Sequence, residues 1–382
     1  MKFYYAIAAS IIVPALTLFG PAIADMSASS PYQIQSSDLP PMSGSGRGGG
    51  ASADGGSAGN DDQTKNLQCA AFEKDPDADM GDIIKAGCEP TTAQMARLMD
   101  NPLGSMAALF TQIDYYQLKD PKTGKRADKF NYMGIAQFPT SIGENWNLVN
   151  RVIWNVPSTP LDQHKIDRLD DLDGAFGDLQ GVIGPPRRSF GLAENLLSGR
   201  TTGFGDTYYL GLFSPKQGIK HDNGATSVWG VGFDVMAPTA SEDVLGTGKW
   251  GAGPAAVYAY LGPKWKLGAL AQQYWDFAGD SDRADINLTN LQYFYFYSLD
   301  ETTSIGAAPN IIANWEQSSG NVWTVPVGLG INKTVKIGKV PVRFGVEAYY
   351  SAIKPNDVLG YEWSYRFYMI PAVPAALFSW MQ

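Results

Sequence analysis

The chain has 382 residues and carries 29 Lys and Arg against 38 Asp and Glu, a formal net charge of −9 at pH 7. This balance argues against a nucleic-acid-binding surface, which needs a basic patch to displace the counterions of the phosphate backbone. With only two cysteines and two histidines in the chain, we predict no metal site and no cofactor.

The first residues have the three parts of a secretory signal peptide, which we place at 1–24. Lys2 forms a short positive region, residues 3–19 form an apolar run, and residues 22–24 form a small-x-small cleavage site. An N-terminal membrane anchor helix is the alternative, but Pro14 and the shortness of the apolar run favour a signal peptide. The mature chain contains no second apolar run long enough for a transmembrane helix, so we expect any membrane span to be made of strands.

Residues 25–66 are dominated by Ser, Gly, Pro, Ala and Asp, with almost no large side chain between Gly44 and Gly59. Such a segment cannot bury enough apolar surface to offset the entropy lost on ordering. We therefore predict a disordered, low-complexity leader.

Residues 67–104 are predicted to form a periplasmic segment that carries both cysteines and one short helix near 91–99, started by the preceding Pro-Thr-Thr sequence. The signal peptide places Cys69 and Cys88 in an oxidising compartment, where a disulfide between them is expected. A two-cysteine metal site is the weaker alternative, because neither histidine lies near them in the sequence.

From about residue 105, aromatic-rich segments of roughly ten residues or more alternate with Gly, Pro, Asn, Asp and Ser clusters, a pattern typical of strands in outer-membrane barrels. The count of about twelve is even, as in single-chain bacterial barrels. We predict an all-β fold, an antiparallel transmembrane β-barrel over residues 105–371, followed by a C-terminal extension at 372–382. The predicted strands lie near 105–117, 128–138, 145–155, 204–213, 226–237, 248–261, 264–276, 286–299, 302–315, 321–335, 340–353 and 360–370.

Alternation of apolar and polar residues is clearest in the last two predicted strands. In the eleventh, Arg343 and Glu347 lie on the face opposite the apolar residues; in the twelfth, Glu362 and Arg366 oppose a face that includes Tyr361. A period of two directs one set toward lipid and the other toward the lumen. A soluble sandwich or lipocalin-like barrel is the alternative, which the number of long strands and the recurrence of Trp and Tyr near strand ends disfavour.

The lengths of the predicted connections indicate an orientation. Outer-membrane barrels have short periplasmic turns and longer external loops. The connections after strands 6, 8 and 10 are short, whereas residues 156–203 form by far the longest connection. We therefore predict a periplasmic N-terminus and expect 156–203 to restrict the external mouth; residues 214–225 are an exception, long where a short turn is needed.

Charged residues on the inward faces are the candidate pore-lining set. Charged rings set pore selectivity by their sign and field, and a mixed ladder would give little preference for either sign. The alternative, that these residues only satisfy one another in a narrow lumen, stays open. The candidates are Arg151, Asp206, Asp276, Arg343, Glu347, Glu362 and Arg366.

Several short motifs recur in a fixed order over residues 92–372, among them Gly203-Phe204-Gly205-Asp206-Thr207, Phe213-Ser214-Pro215, Thr247-Gly248-Lys249-Trp250-Gly251, Trp275-Asp276-Phe277-Ala278-Gly279-Asp280 and Thr324-Val325-Pro326-Val327-Gly328. Their order and spacing resemble the bacterial outer-membrane family known as MetA-pathway phenol-degradation or transporter-type proteins, also labelled bacterial neuromedin U. The resemblance implies an outer-membrane channel for small, aromatic or poorly soluble molecules, with no catalytic residue to carry over. The leader with its cysteine pair and the C-terminal extension depart from the family pattern.

The expected function is therefore passive passage of a small-molecule solute through the bacterial outer membrane, with outer-membrane lipids and the barrel assembly machinery as partners. Two alternatives remain. One is a non-transporting structural or surface-interaction barrel. The other is an outer-membrane lipid hydrolase, which the sequence disfavours because His164 and His221 both fall in connections and no Gly-x-Ser-x-Gly motif occurs.

Overall fold

A computed structural model describes residues 58–74, 83, 86–104, 106–119, 124–164, 199–338, 340–356 and 359–374. The predicted signal peptide, the leader up to residue 57, most of the 156–203 connection and residues 375–382 lie outside the described residues. None of the helices in the described ranges is both long and apolar enough to cross a bilayer.

The strands form one antiparallel sheet that closes on itself, because the first strand pairs with the last as well as with the second. The strands are β1 (Met106–Lys119), β2 (Arg126–Ile142), β3 (Trp146–Thr159), β4 (Thr201–Thr202), β5 (Thr207–Pro215), β6 (Ile219–Lys220), β7 (Thr226–Ala237), β8 (Lys249–Leu261), β9 (Trp265–Gly279), β10 (Asn287–Ser298), β11 (Thr303–Ala307), β12 (Asn310–Asn314), β13 (Trp323–Ile337), β14 (Val340–Ile353) and β15 (Gly360–Pro374). Two helices, α1 (Ala58–Lys74) and α2 (Thr92–Asp100), precede them, and a 3₁₀ turn spans Asp243–Leu245.

The prediction of an all-β, antiparallel barrel of twelve strands is confirmed. β4 and β6 are short additions that pair with β3 and β7, and β11 and β12 are two halves of the ninth barrel strand, since both pair with β10 and with β13. The ninth strand was predicted as continuous. It is interrupted at Ala308 and Pro309, where proline has no N–H to donate to a ladder.

The predicted alternation appears as alternating exposure of the side chains. On β14, Val346 is 52% exposed, whereas its neighbour Glu347 is 4% exposed. Tyr361 is a correction to the predicted faces. The pairing of β15 with β1 skips Glu362, a β-bulge that turns the preceding residue, Tyr361, toward the inner face. The ring of Tyr361 contacts the ring of Tyr116, with 5.1 Å between the ring centroids.

The outward surface is apolar and rich in tryptophan. A soluble protein would cover such a continuous surface, whereas a membrane barrel presents it to lipid with aromatic residues near both interfaces. The exposed tryptophans are Trp146, Trp250, Trp265, Trp275, Trp315, Trp323 and Trp363.

The N-terminal segment contains two helices where the sequence predicted one. α2 begins at a capping box, in which the Thr91 hydroxyl accepts from Gln94 N and the Gln94 side chain accepts from Thr91 N. α1 covers residues 58–66 of the predicted disordered leader. Its C-terminal half contains Leu, Gln, two Ala, Glu and Lys, residues that favour a helix.

Candidate functional site

The tight turns that follow β8, β10 and β13 all lie at one end of the barrel, which we call the short-turn end. The connection predicted at 214–225 as an exception belongs to the same end, and it follows β5 from residue 216. It folds back as a hairpin in which β6 pairs with the start of β7. β1 begins and β15 ends at this same end.

The helix α2 and the residues after it lie inside the short-turn end of the lumen. Met95 packs against Ala372, and the carbonyl oxygen of Ala96 accepts a 2.8 Å hydrogen bond from Arg343 Nη2. Leu103 packs among inward-facing apolar residues of β3, β5, β7, β8 and β9. We call residues 92–103 the plug segment, because they fill this end of the barrel.

Asp100 fixes the plug segment to the wall electrostatically. One carboxylate oxygen lies 2.8 Å from Arg343 Nη2 and the other lies 2.9 Å from Lys266 Nζ. All three side chains are only 11–13% exposed. Ion pairs in such an environment are screened far less than surface pairs, so this carboxylate links the plug segment to the wall more strongly than an exposed pair would.

The upstream part of the chain is tied to the plug segment. Cys69 of α1 forms a disulfide with Cys88, and the two Cα atoms are 5.5 Å apart. The Gln94 side chain donates a 2.6 Å hydrogen bond to the carbonyl oxygen of Phe72, which also lies on α1. The disulfide and this hydrogen bond hold α1 near the start of the plug.

The lumen contains a cavity of about 220 Å³, and the plug segment forms part of its lining. Apolar side chains from β1, β2, β8, β9 and β10 make part of its wall, among them Phe110, Ile135 and Phe294. Charged groups from the plug and from the strands make the rest. Those groups are Asp100, Arg151, Lys266, Arg343, Glu347 and Arg366.

Four of the seven predicted pore-lining residues, Arg151, Arg343, Glu347 and Arg366, line this cavity. The other three lie at the opposite, long-loop end and make structural contacts there. Asp276 pairs with Lys249 at 2.9 Å, and the Asp206 carboxylate accepts from the amide and hydroxyl of Thr247 at 2.7 and 2.8 Å.

Glu362, the third of these residues, pairs with Lys354 at 2.7 Å and with Lys119 at 3.5 Å. Its side chain is 25% exposed, so solvent screens both pairs. Glu362 therefore belongs to the rim of the barrel.

The predicted charge ladder is only partly formed. Glu347 and Arg366 are directly opposite on β14 and β15, but the carboxylate nearest Arg366 is Asp114 of β1, at 2.8 Å. Glu347 accepts from the amide of Ala308 at 2.8 Å, and Arg366 donates to the carbonyl of the same residue at 3.1 Å. These two charges thus hold the inward bend that interrupts the ninth strand.

The outer face of the same interruption is covered by tyrosines of β10. The hydroxyl of Tyr293 donates to the carbonyl of Pro326 at 2.8 Å, and that of Tyr295 donates to the carbonyl of Gly328. These hydrogen bonds join β10 to β13 where the strand between them leaves the sheet.

The residues missed from the sequence are the partners of the predicted charges. Asp114 and Lys266 alternate with outward-facing Ile113, Tyr115, Trp265 and Leu267, so period-two analysis of β1 and β9 would have found them. Asp100 gives no such signal, because it ends a short amphipathic helix that could equally have packed outside the barrel.

A serine and a histidine meet at the short-turn end. His221 Nε2 lies 2.8 Å from Ser227 Oγ, a distance suited to a nucleophile and its base. However, Ser227 is 1% exposed and its hydroxyl oxygen also lies 2.9 Å from the hydroxyl of Tyr258. A nucleophile must reach its substrate, so this arrangement favours a hydrogen-bonded anchor for the hairpin over catalysis.

We expect the purified wild-type protein to release no fatty acid from phospholipid vesicles above background, and the His221→Ala, Ser227→Ala and His164→Ala variants to be indistinguishable from it. Release by the wild type that is lost in His221→Ala and Ser227→Ala, but kept in His164→Ala, would establish the hydrolase alternative instead.

Neither a family model nor a curated protein sequence matches this chain. Solved structures of similar fold include an outer-membrane channel from Pseudomonas putida F1, with 14% identity, 71% of this chain and 97% of that chain covered, and a TM-score of 0.48. Outer-membrane phospholipase A from Escherichia coli has 12% identity, with 74% of this chain and 97% of that chain covered, and a TM-score of 0.37. A FadL homologue from Pseudomonas aeruginosa has 8% identity, with 75% of this chain and 93% of that chain covered, and a TM-score of 0.31. Identities this low carry no information about activity or substrate.

Proposed function

We propose that this protein is a bacterial outer-membrane channel that gives small molecules a passive path through its lumen, and that the plug segment restricts the path at the short-turn end. The observation that carries the proposal is the lumen itself. It holds a cavity of about 220 Å³ closed on one side by a segment that is not a strand of the barrel and is held partly by ion pairs. Such a segment can leave without breaking the sheet.

An outer-membrane location is supported by the apolar outward surface with its exposed tryptophans, by the closure of the sheet and by the N-terminal signal-peptide pattern. A periplasmic N-terminus is supported by the tight turns, which lie at the end of the barrel where β1 begins and β15 ends. We further propose membership of the MetA-pathway family, on the strength of the ordered motifs in residues 92–372.

The amphipathic wall of the cavity supports small solutes with an apolar body. Apolar side chains such as Ile135 and Phe294 can replace water around a hydrocarbon group, and nearby polar groups can replace the hydration of a polar end. Energy coupling is not required, because diffusion down a gradient is sufficient.

Liposome swelling and planar-bilayer conductance test the proposal. Proteoliposomes of the full chain are expected to swell slowly in small sugars and in aromatic acids, with rates that fall steeply as the solute grows. If the wild type gives neither swelling nor conductance, and a variant with a loosened plug is also silent, the protein is the non-transporting structural barrel.

A further inference from the structure

The charges around the lumen cavity do not balance. Four cations line it, Arg151, Lys266, Arg343 and Arg366. Asp100 is shared by Lys266 and Arg343, and Asp114 neutralises Arg366. The remaining carboxylate of the lining, Glu347, accepts from the Ala308 amide and the Tyr349 hydroxyl.

Among the four cations that line the cavity, Arg151 is the one for which the described residues supply no carboxylate partner. Its Nε donates to the side-chain oxygen of Gln137 at 2.7 Å and its Nη2 donates to the carbonyl oxygen of Pro102 at 3.0 Å, both neutral acceptors. Within the described part of the chain, no carboxylate lies within 4 Å of this guanidinium and Nη1 makes no hydrogen bond. A partly buried guanidinium without a counter-charge is costly, and the cost is relieved when an anion binds.

The surroundings of Arg151 define what kind of anion fits. Phe110, Ile135 and Phe294 line the same cavity, so an ion that is hydrated on all sides gains little there. Guanidinium groups bind carboxylates through two parallel hydrogen bonds, which favours a planar, singly charged head. The volume of about 220 Å³ limits the apolar body to a small one.

We propose that the lumen contains a binding site for small amphipathic carboxylates, in which Arg151 pairs with the carboxylate and the apolar wall contacts the hydrocarbon body. This inference rests on the proposed channel function and names its substrate class. An aromatic acid and a short-chain fatty acid share the required chemistry, and the test below separates them.

The test measures equilibrium binding of radiolabelled benzoate and octanoate to the full chain in lipid nanodiscs. At least one of the two carboxylates binds the wild type, and Arg151→Gln weakens that binding by about tenfold or more, since a charge-assisted pair is lost. Arg151→Lys keeps the charge but not the paired donors, so its affinity for the carboxylate falls between those of the wild type and Arg151→Gln. Benzyl alcohol, the neutral counterpart of benzoate, binds about tenfold more weakly and is insensitive to Arg151→Gln.

Arg126→Gln is the matched control, because Arg126 is exposed at the start of β2 and lies outside the cavity lining. It is expected to leave the affinities for benzoate and octanoate unchanged.

Ala108→Leu provides an independent variant if Arg151→Gln does not fold. Ala108 lines the cavity from β1, and a larger side chain there reduces the space for the hydrocarbon body and weakens binding.

The outcomes are separable from those of the swelling assay. If the wild type swells but binds neither carboxylate, the proposed binding site is wrong and the channel function still stands. The same conclusion follows if carboxylate binding is unchanged in both Arg151→Gln and Ala108→Leu. Carboxylate binding that depends on Arg151, in a protein that neither conducts nor swells, supports the site and counts against transport.

Discussion

Asp100→Ala is expected to raise the swelling rate of proteoliposomes and the open-channel current several-fold. The carboxylate is shared between Lys266 and Arg343, and all three side chains are only 11–13% exposed. Removing one partner of a buried ion pair typically costs about 3–5 kcal/mol, because the remaining charge loses its compensation. Here two cations are left side by side, which adds repulsion to the lost attraction.

The cost falls on the state in which the plug segment is seated. Once the plug leaves, water can hydrate Lys266 and Arg343, so the substitution stabilises the open state relative to the closed one. A shift of about 1.4 kcal/mol already changes such an equilibrium tenfold, and a fraction of the expected cost is enough to be measured. Asp100→Asn should act in the same direction, since it removes the charge while keeping the size.

Glu89→Ala is the matched control for the plug. Glu89 lies just before α2 and pairs with Lys336 at 3.3 Å, but its side chain is 67% exposed and that of Lys336 is 36% exposed. Exposed pairs contribute about 0–1 kcal/mol, so this variant should conduct like the wild type. If Asp100→Ala conducts no more than the wild type, and heat-modifiability on gels shows that its barrel is intact, the plug segment does not limit passage through the lumen.

Much of the barrel is encoded locally and was therefore predictable. Period-two alternation and turn clusters depend on neighbouring residues, and eleven of the twelve predicted strands agree with the observed ones to within a few residues at each end. The interruption at Ala308 and Pro309 was missed because the apolar pattern continues across it. The contacts that stabilise the bend come from Glu347 and Arg366, on strands about 40 and 60 residues later.

The site was predicted less well, for a related reason. Alternation shows that Arg343 and Arg366 face the lumen, but it does not show which carboxylates meet them. Those carboxylates, Asp100 and Asp114, are more than 240 residues away in sequence and reach the arginines only when the barrel closes and the plug enters it. The position of the plug depends on packing between α2 and strands at the other end of the chain, which no local pattern encodes.

Asp114→Ala is expected to destabilise the folded barrel by about 3–5 kcal/mol, because it leaves the Arg366 guanidinium, 12% exposed, without its carboxylate. The pair joins β1 to β15, the first and last strands, so its loss weakens the seam that closes the sheet. The free energy of unfolding, measured by denaturant titration in lipid vesicles, should fall with little change in the slope against denaturant.

Glu362→Ala is the control on the same seam. Glu362 on β15 pairs with Lys119 of β1, but it is 25% exposed and Lys119 is 38% exposed, so removing the Glu362 side chain should cost about 1 kcal/mol or less.

Replacing both members of the buried pair, as Asp114→Leu with Arg366→Met, should cost less than Asp114→Ala alone, because no unpaired charge remains. Equal costs for Asp114→Ala and Glu362→Ala would mean that the buried pair does not stabilise the seam. A double variant less stable than Asp114→Ala would mean that Arg366 stabilises the barrel chiefly through its hydrogen bond to Ala308 and its 5.3 Å contact with the Tyr349 ring.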